Sequence, residues 1–333
     1  MKAILHIEKL KAYYDVKAFG VDRYVRAVNN VNFDVSEGEI FGIAGESGCG
    51  KSTLIKVLYA LNKPPLTVMG GRVLYNTEGG DKNPLEIGSK ELQKLRWNFV
   101  SYIPQGSMSV LNPTIRIKKQ FLDVIKAHHK GTDAKEAIKL SEEHVSSLGL
   151  PREVMDSYPH QLSGGMKQRV TIALATILKP RIIFADEPTT ALDVVVQRGV
   201  IQLLKHIQKE LHNTVIIVTH DMGVHAEMAD RIGIMYAGKI IEIAPTREIF
   251  KNALHPYTQY LIKSLPRVGD KTPRAGAPGA PPSLDSLPNG CSFNPRCPYA
   301  KEDCYGSEPE LRKIKAQHLV ACCVAEEAKN GKN

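Results

Sequence analysis

Across its 333 residues the sequence has no run of 18 apolar residues, so no segment reads as a membrane-crossing helix. Its first ten residues, Met1 to Leu10, mix Lys, His and Glu with Ile and Leu. They lack the apolar core and small-residue cleavage site of a secretory signal, and the expected compartment is the cytosol. Lys and Arg nowhere form a block interleaved with aromatics, and Trp occurs once. The net charge of +9 therefore reads as a general basic surface. Such a surface suits phosphate ligands or an anionic membrane face, and nucleic acid is not indicated. No internal repeat is present, which sets aside repeat architectures.

What is there is a globular composition, 43% hydrophobic and 24% charged, enough for one or two domains with a large core. Residues 3–14 and 27–36 alternate apolar and polar, as half-buried strands do. Ile40 to Ala44 is a short apolar run feeding a glycine-rich loop, and Ser52 to Leu61 reads as a helix. Residues 115–150 have helical spacing with many Lys, Glu and His, predicting an exposed helical arm. Met166 to Leu178 and Val194 to Leu211 read as helices, Ile182 to Ala185 and Thr214 to Val218 as buried strands. Ile232 to Tyr236 and Lys239 to Ile243 flank Ala237-Gly238 as a hairpin. Strands alternating with helices predict an α/β fold with a largely parallel, doubly wound sheet. From Pro266 to Gly290, Pro, Gly, Ala and Ser dominate, so this stretch is a linker or an extended segment over a surface.

Three motifs carry chemistry. Gly45-Glu46-Ser47-Gly48-Cys49-Gly50-Lys51-Ser52 fits the phosphate-loop pattern and has its context, a strand before and a helix after. Its glycines allow backbone N–H groups to wrap phosphates, aided by the positive end of the helix. Lys51 would reach the β- and γ-phosphates, Ser52 would ligate Mg²⁺, and Thr53 follows at the head of the helix. Cys49 reads as a small loop residue, with a redox role as the alternative. Next, the apolar run Ile182 to Ala185 ends in Asp186-Glu187. Asp186 would help hold Mg²⁺ and Glu187 would polarise an attacking water. Lastly, Leu162-Ser163-Gly164-Gly165-Met166-Lys-Gln168-Arg169 reads as a two-glycine turn at a helix N-terminus, a second anion-binding surface.

In this order the motifs resemble those of ABC ATPases. Residues 162–166 resemble the family signature, with Met166 in place of its usual Gln. Gln105 resembles the Q-loop glutamine, a γ-phosphate sensor and Mg²⁺ contact, and Ala191-Leu192-Asp193 resembles the D-loop. His220 resembles the switch histidine, and Tyr14 the adenine-stacking aromatic, with Tyr13 and Tyr24 competing. The resemblance covers residues 1–265 and implies a P-loop NTPase core with an antiparallel β subdomain and a helical subdomain at about 106–178. It also implies that Ser163, Gly164 and Gly165 cap the γ-phosphate held by a second, homologous ATPase. The pair would drive two transmembrane permease subunits from the cytoplasmic face of the membrane.

His255-Pro-Tyr-Thr-Gln-Tyr-Leu and Gly290-Cys291-Ser-Phe-Asn-Pro-Arg-Cys297-Pro-Tyr-Ala resemble the segment that follows the core in oligopeptide and dipeptide importer ATPases. Peptide import is thus the expected role, with an extracellular solute-binding protein as indirect partner. Another solute of that class, such as an oligosaccharide or a nickel chelate, is the alternative, and a non-transport ABC ATPase a further one. Of six cysteines, five crowd between residues 291 and 323. Cys291, Cys297, Cys304 and Cys322 have C-x5-C-x6-C-x17-C spacing, without the close pairs of structural zinc. Together with Pro298 this suits an iron–sulfur cluster, and the resemblance implies [4Fe–4S], in a small module within residues 266–333. Cys323 competes as fourth ligand; zinc and free or disulfide-bonded thiols are the alternatives. A structural role for the cluster and a redox-sensing one both remain open.

Overall fold

The computed structural model describes residues 2–18, 21–106, 110–266 and 276–325. The chain forms two compact units, Met1–Leu85 with Val218–Asn333, and Glu86–Ile217.

The first unit begins with an antiparallel sheet. Strands Ala3–Ala18 and Val21–Ser36 pair with Leu5 opposite Val35 and Ile7 opposite Phe33. Leu66–Thr77 pairs with the other side of the first strand, and Gly80–Lys82 extends the sheet. Leu5, Ile7, Leu10, Val28, Val31 and Val35 bury one face, which is why the sequence alternates. The strand Ile40–Ala44 differs. All five of its residues are buried, and it runs parallel to Arg231–Tyr236 with Ile43 opposite Gly233. Continuous apolar runs are what parallel strands covered on both faces require. Ala237 (φ 46°) and Gly238 (φ 82°) turn the chain into the antiparallel strand Lys239–Pro245. Two left-handed residues in a row match the twist of a tight hairpin.

The second unit holds the parallel strands Val100–Ile103 and Ile182–Asp186, with Val100 opposite Ile182. Its helices include Ile117–His128, Ala134–Ser147, Gly164–Thr176 and Val194–Leu211. The arm expected at 115–150 is two helices separated near Gly131 (φ 109°). It is not wholly exposed: Ile117, Phe121 and Ile125 of one helix, and Ala137, Ser141 and Val145 of the other, form buried stripes at helical spacing.

The tail brings the main departure from the sequence reading. Of the stretch 266–290, residues 267–275 lie outside the described residues; residues 276–290 form bends and a turn with no helix or strand, and Arg26 N–H donates to the Leu284 carbonyl at 2.9 Å. Beyond the cysteine loop, His318–Val320 pairs antiparallel with Lys239–Pro245, and Arg312–Lys315 pairs with it in turn. The described tail therefore belongs to the same compact unit as the phosphate loop. Glu242, fully buried, anchors this junction. Its carboxylate accepts from the N–H groups of Leu254 (2.7 Å) and His255 (3.0 Å) and bonds His318 Nε2 at 2.6 Å. Removing one partner from such a buried network leaves donors without an acceptor. Glu242→Ala should lower the unfolding free energy by about 3 kcal/mol, measured by denaturant titration. A loss under about 1 kcal/mol would show that the junction is held by packing alone.

Candidate functional site

In the first unit the loop Gly45–Gly50 leads from the buried strand into the helix Lys51–Leu58. Gly45 (φ 153°) and Gly50 (φ 108°) are required by close approach as well as by conformation. A Cβ on Gly45 would lie 2.1 Å from the Met235 carbonyl oxygen, and one on Gly50 would lie 1.9 Å from that of Ala27. Lys51 is 5% exposed, and its amine donates to the carbonyls of Gly45 (2.8 Å) and Glu46 (2.9 Å). The cation is thus folded back into the curl of the loop. Tyr14 meets this helix: its hydroxyl lies 3.1 Å from Thr53 Oγ1. Tyr13 instead donates to Asn29 at 2.9 Å, and Tyr24 is exposed. Cys49 is buried, and burial pushes its thiol up, as suits a small loop residue.

His220 is exposed just past the strand Thr214–Val218. Sequence reasoning passed over His225, one turn into the helix that follows. That ring is fully buried, and Nε2 lies 3.2 Å from the Thr219 carbonyl. It packs under the phosphate-loop strand, where a Cβ on Gly42 would come within 2.4 Å of Nδ1. Burial disfavours a charged imidazole there and holds its pKa down at about 4.

In the second unit Asp186 ends its strand fully buried and accepts from the Tyr102 hydroxyl at 3.1 Å. Glu187 stands at φ 46°, a left-handed conformation that is costly for a residue with a long side chain. Its carboxylate accepts from Thr190 Oγ1 (2.7 Å) and from Gln105 Nε2 (3.4 Å). Gln168 Nε2 donates to the Pro188 carbonyl at 2.6 Å, fixing the chain just beyond. Ser163 caps the helix Gly164–Thr176, its hydroxyl accepting from Met166 N–H at 3.3 Å. Gly164 and Gly165 are helical, not a free turn. Gly165 is small for packing, since a Cβ there would lie 2.7 Å from Val196 Cγ1. The segment resembling a D-loop contains Ala191 at φ 63°, and Asp193 caps Val194–Leu211 through the N–H groups of Val195 and Val196.

Among the described residues no group of three or more His, Cys, Asp or Glu side chains is set to hold a metal ion, and all six cysteines are free. The expected four-thiol ligand set is thus not formed as such. The tail cysteines are nonetheless neighbours. Cys291 N–H donates to the Cys304 carbonyl at 2.8 Å. Burial pushes the Cys291 thiol to about 11 and the Cys322 thiol to about 12. Charge on Cys297 and Cys323 raises both further. The donor set is all sulfur, which fits iron–sulfur ligation in type.

Comparison with known proteins matches residues 28–190 to the ABC transporter family and residues 241–304 to the oligopeptide/dipeptide transporter C-terminal region. The dipeptide transport ATP-binding protein DppD of Caldanaerobacter subterraneus is 41% identical over 99% of both chains. The oligopeptide transport ATP-binding protein AppD of Bacillus subtilis is 37% identical over 98% of both. Among solved structures, the ATP-binding cassette MJ0796, a dimer in a post-hydrolysis state with ADP and Pi, aligns with 73% of this chain and 99% of its own. Its TM-score is 0.62, at 29% identity.

The neutral histidines predict a pH dependence. His144, His225 and His255 are all held down at about 4 by burial, against 6.5 when unfolded. Between those values the unfolded chain binds more protons, so stability is full above pH 6.5 and falls as the pH drops toward 4. Below pH 6.5 these three groups should make the unfolding free energy decline with a slope approaching three protons per unit. His225→Asn should reduce that slope by one proton; an unchanged slope would remove His225 from the linkage.

Proposed function

The chain belongs to the ABC transporter family, in its oligopeptide and dipeptide branch, and on that premise we propose how its residues divide the work. The protein hydrolyses ATP to energise a peptide importer, and ATP with Mg²⁺ is its substrate. The observation that carries this is the buried Lys51 amine curled onto the Gly45 and Glu46 carbonyls at a helix start, a cradle already shaped for phosphate. Residues 45–53 take the phosphates, Ser52 and Asp186 hold Mg²⁺ with Gln105 beside it, and Tyr14 stacks on adenine. Glu187 polarises the attacking water and His220 contacts the γ-phosphate. Its hydrogen bonds to Thr190 and Gln105 and its left-handed backbone support the Glu187 assignment, because strain of about 1–3 kcal/mol at one carboxylate is otherwise a cost without return.

The working unit contains a second, homologous ATPase and two permease subunits, with a solute-binding protein acting outside the cell. Ser163, Gly164 and Gly165 serve the ATP of the partner ATPase. Val194 and Val195, both 81% exposed right after the segment resembling a D-loop, support a partner on that face. No helix among the described residues is long and apolar enough to cross a membrane, consistent with a peripheral subunit on the cytoplasmic side. We divide the chain functionally into an ATPase domain at 1–265, with its helical part at about 106–178, and the tail at 266–333.

For the tail we propose a [4Fe–4S] cluster on Cys291, Cys297, Cys304 and Cys322, with Cys323 next to Cys304 as the alternative fourth ligand. The all-sulfur neighbourhood supports it. A cluster there would supply a structural cross-link between the cysteine loop and the last strand.

Two measurements test these assignments. Glu187→Gln should reduce steady-state ATP hydrolysis by about 10²–10⁴-fold in the assembled transporter while ATP still binds; unchanged turnover would sink the Glu187 role. Anaerobic purification should yield a brown chain with about four irons, absorbing near 400 nm. A colourless chain with stoichiometric zinc would replace the cluster by a zinc site.

A further inference from the structure

One charged residue of the cysteine loop does not serve the cysteines. Arg296, between Cys291 and Cys297, is 6% exposed. Its guanidinium donates to both carboxylate oxygens of Glu46, at 3.1 and 3.3 Å, and to the Tyr236 hydroxyl at 3.2 Å. The remaining donors meet the carbonyls of Pro278 (2.8 Å) and Ala277 (3.2 Å). The planar group also lies 5.8 Å from the ring centres of Tyr236 and Phe293. This is a fully engaged, two-pronged clasp on the second residue of the phosphate loop. A second clasp comes from the helix Pro256–Lys263: the Tyr257 hydroxyl accepts from the Glu46 N–H at 2.9 Å. The Glu46 carbonyl meanwhile accepts from Lys51. Side chain, amide and carbonyl of one loop residue are therefore all held, the side chain by the tail and the amide by the helix Pro256–Lys263 that precedes it. Across a cavity of about 240 Å³, Pro281 and Pro282 of the same tail face Ser47 and Gly48.

We propose that Arg296 and Tyr257 are positioning residues for the phosphate loop, acting through Glu46, so that the tail and the helix Pro256–Lys263 together set how well the loop is preorganised for the phosphates of ATP. The inference rests on the reading of Gly45–Ser52 as the ATP phosphate site. Phosphoryl transfer depends on donors already in place, so a loop that must be ordered on binding loses affinity by the ordering cost. The coupling is reciprocal, and bound ATP stabilises the cysteine loop as the cysteine loop favours ATP.

A mutant cycle in the full chain tests it, with two readouts. The first is amide hydrogen exchange over residues 45–50 without nucleotide; the second is equilibrium binding of MgATP. Arg296→Ala and Glu46→Gln should each speed exchange across the loop and weaken MgATP about ten-fold. The double variant should be no worse than Arg296→Ala, because both remove the same contact. Arg296→Lys, which keeps the charge but not the fork, should recover only part. Tyr257→Phe, which leaves the fold's packing in place, should speed exchange at Glu46 alone. Loop exchange and MgATP affinity at wild-type values in Arg296→Ala, or strictly additive effects in the double variant, would overturn the proposal. Absence of MgATP binding in the unaltered chain would instead strike at the ATP reading, and the exchange readout would still decide the clasp.

Discussion

Two main-chain contacts too close for a side chain determine what this protein can be. The phosphate loop passes within van der Waals contact of the Met235 carbonyl at Gly45 and of the Ala27 carbonyl at Gly50. Everything that holds those carbonyls in place therefore holds the loop. Met235 belongs to the hairpin Arg231–Pro245, whose turn is stitched on both sides: Gly238 N–H donates to the Cys49 carbonyl and Asn29 N–H to the Gly238 carbonyl. The same hairpin offers Tyr236 to Arg296 and Glu242 to His318. One buried hairpin thus fixes the loop from below and the tail from beside it. The rigidity of a close-packed interior lets a constraint at one end be felt at the other.

Much of this was legible in the residues. The strand before the loop, the helix Val194–Leu211, the strand Thr214–Val218 and the hairpin about Ala237-Gly238 all stand where periodicity and turn chemistry put them. Each has a strong local signal: a continuous apolar run, a long 3.6 period or a turn pair. The strand Leu66–Thr77 went unseen because Gly70 and Gly71 interrupt its alternation, and its pairing with the first strand is a non-local fact. The glycines of residues 164–165 were read for backbone freedom. The structure uses Gly165 for lack of bulk against Val196, a contact no single segment can announce. Likewise His225 differs from His220 only in what covers it.

The tail shows the limit most clearly. Its Pro and Gly content pointed to a stretch without regular structure, and residues 276–290 form no helix or strand; its cysteine spacing pointed to a metal cluster, whose ligand set is not formed among the described residues. Composition carried no sign that His318–Val320 would become the next strand on the Lys239–Pro245 edge. Three residues are too short for a periodic pattern, and the edge they complete lies more than seventy residues earlier in the chain. Pairing there also covers an exposed row of backbone donors and acceptors, a usual liability of sheet edges.

Arg296 explains why such a tail need not be an appendage. A guanidinium removed from water is costly unless its charge and its donors are all matched. Here the match is spread over a carboxylate, a phenol, two carbonyls and two aromatic faces, drawn from the phosphate loop, the hairpin and the tail itself. No one of these elements satisfies the group alone. Folding of the tail and ordering of the phosphate loop are therefore one event with respect to this charge. If the loop left its place, Glu46 would leave with it and the buried cation would lose its counter-charge. If the cysteine loop opened, Glu46 would lose its fork and keep only its backbone bonds, among them those to Tyr257 and Lys51. The geometry makes the loop Gly45–Gly50 and the cysteine-rich end two sides of a single packed junction.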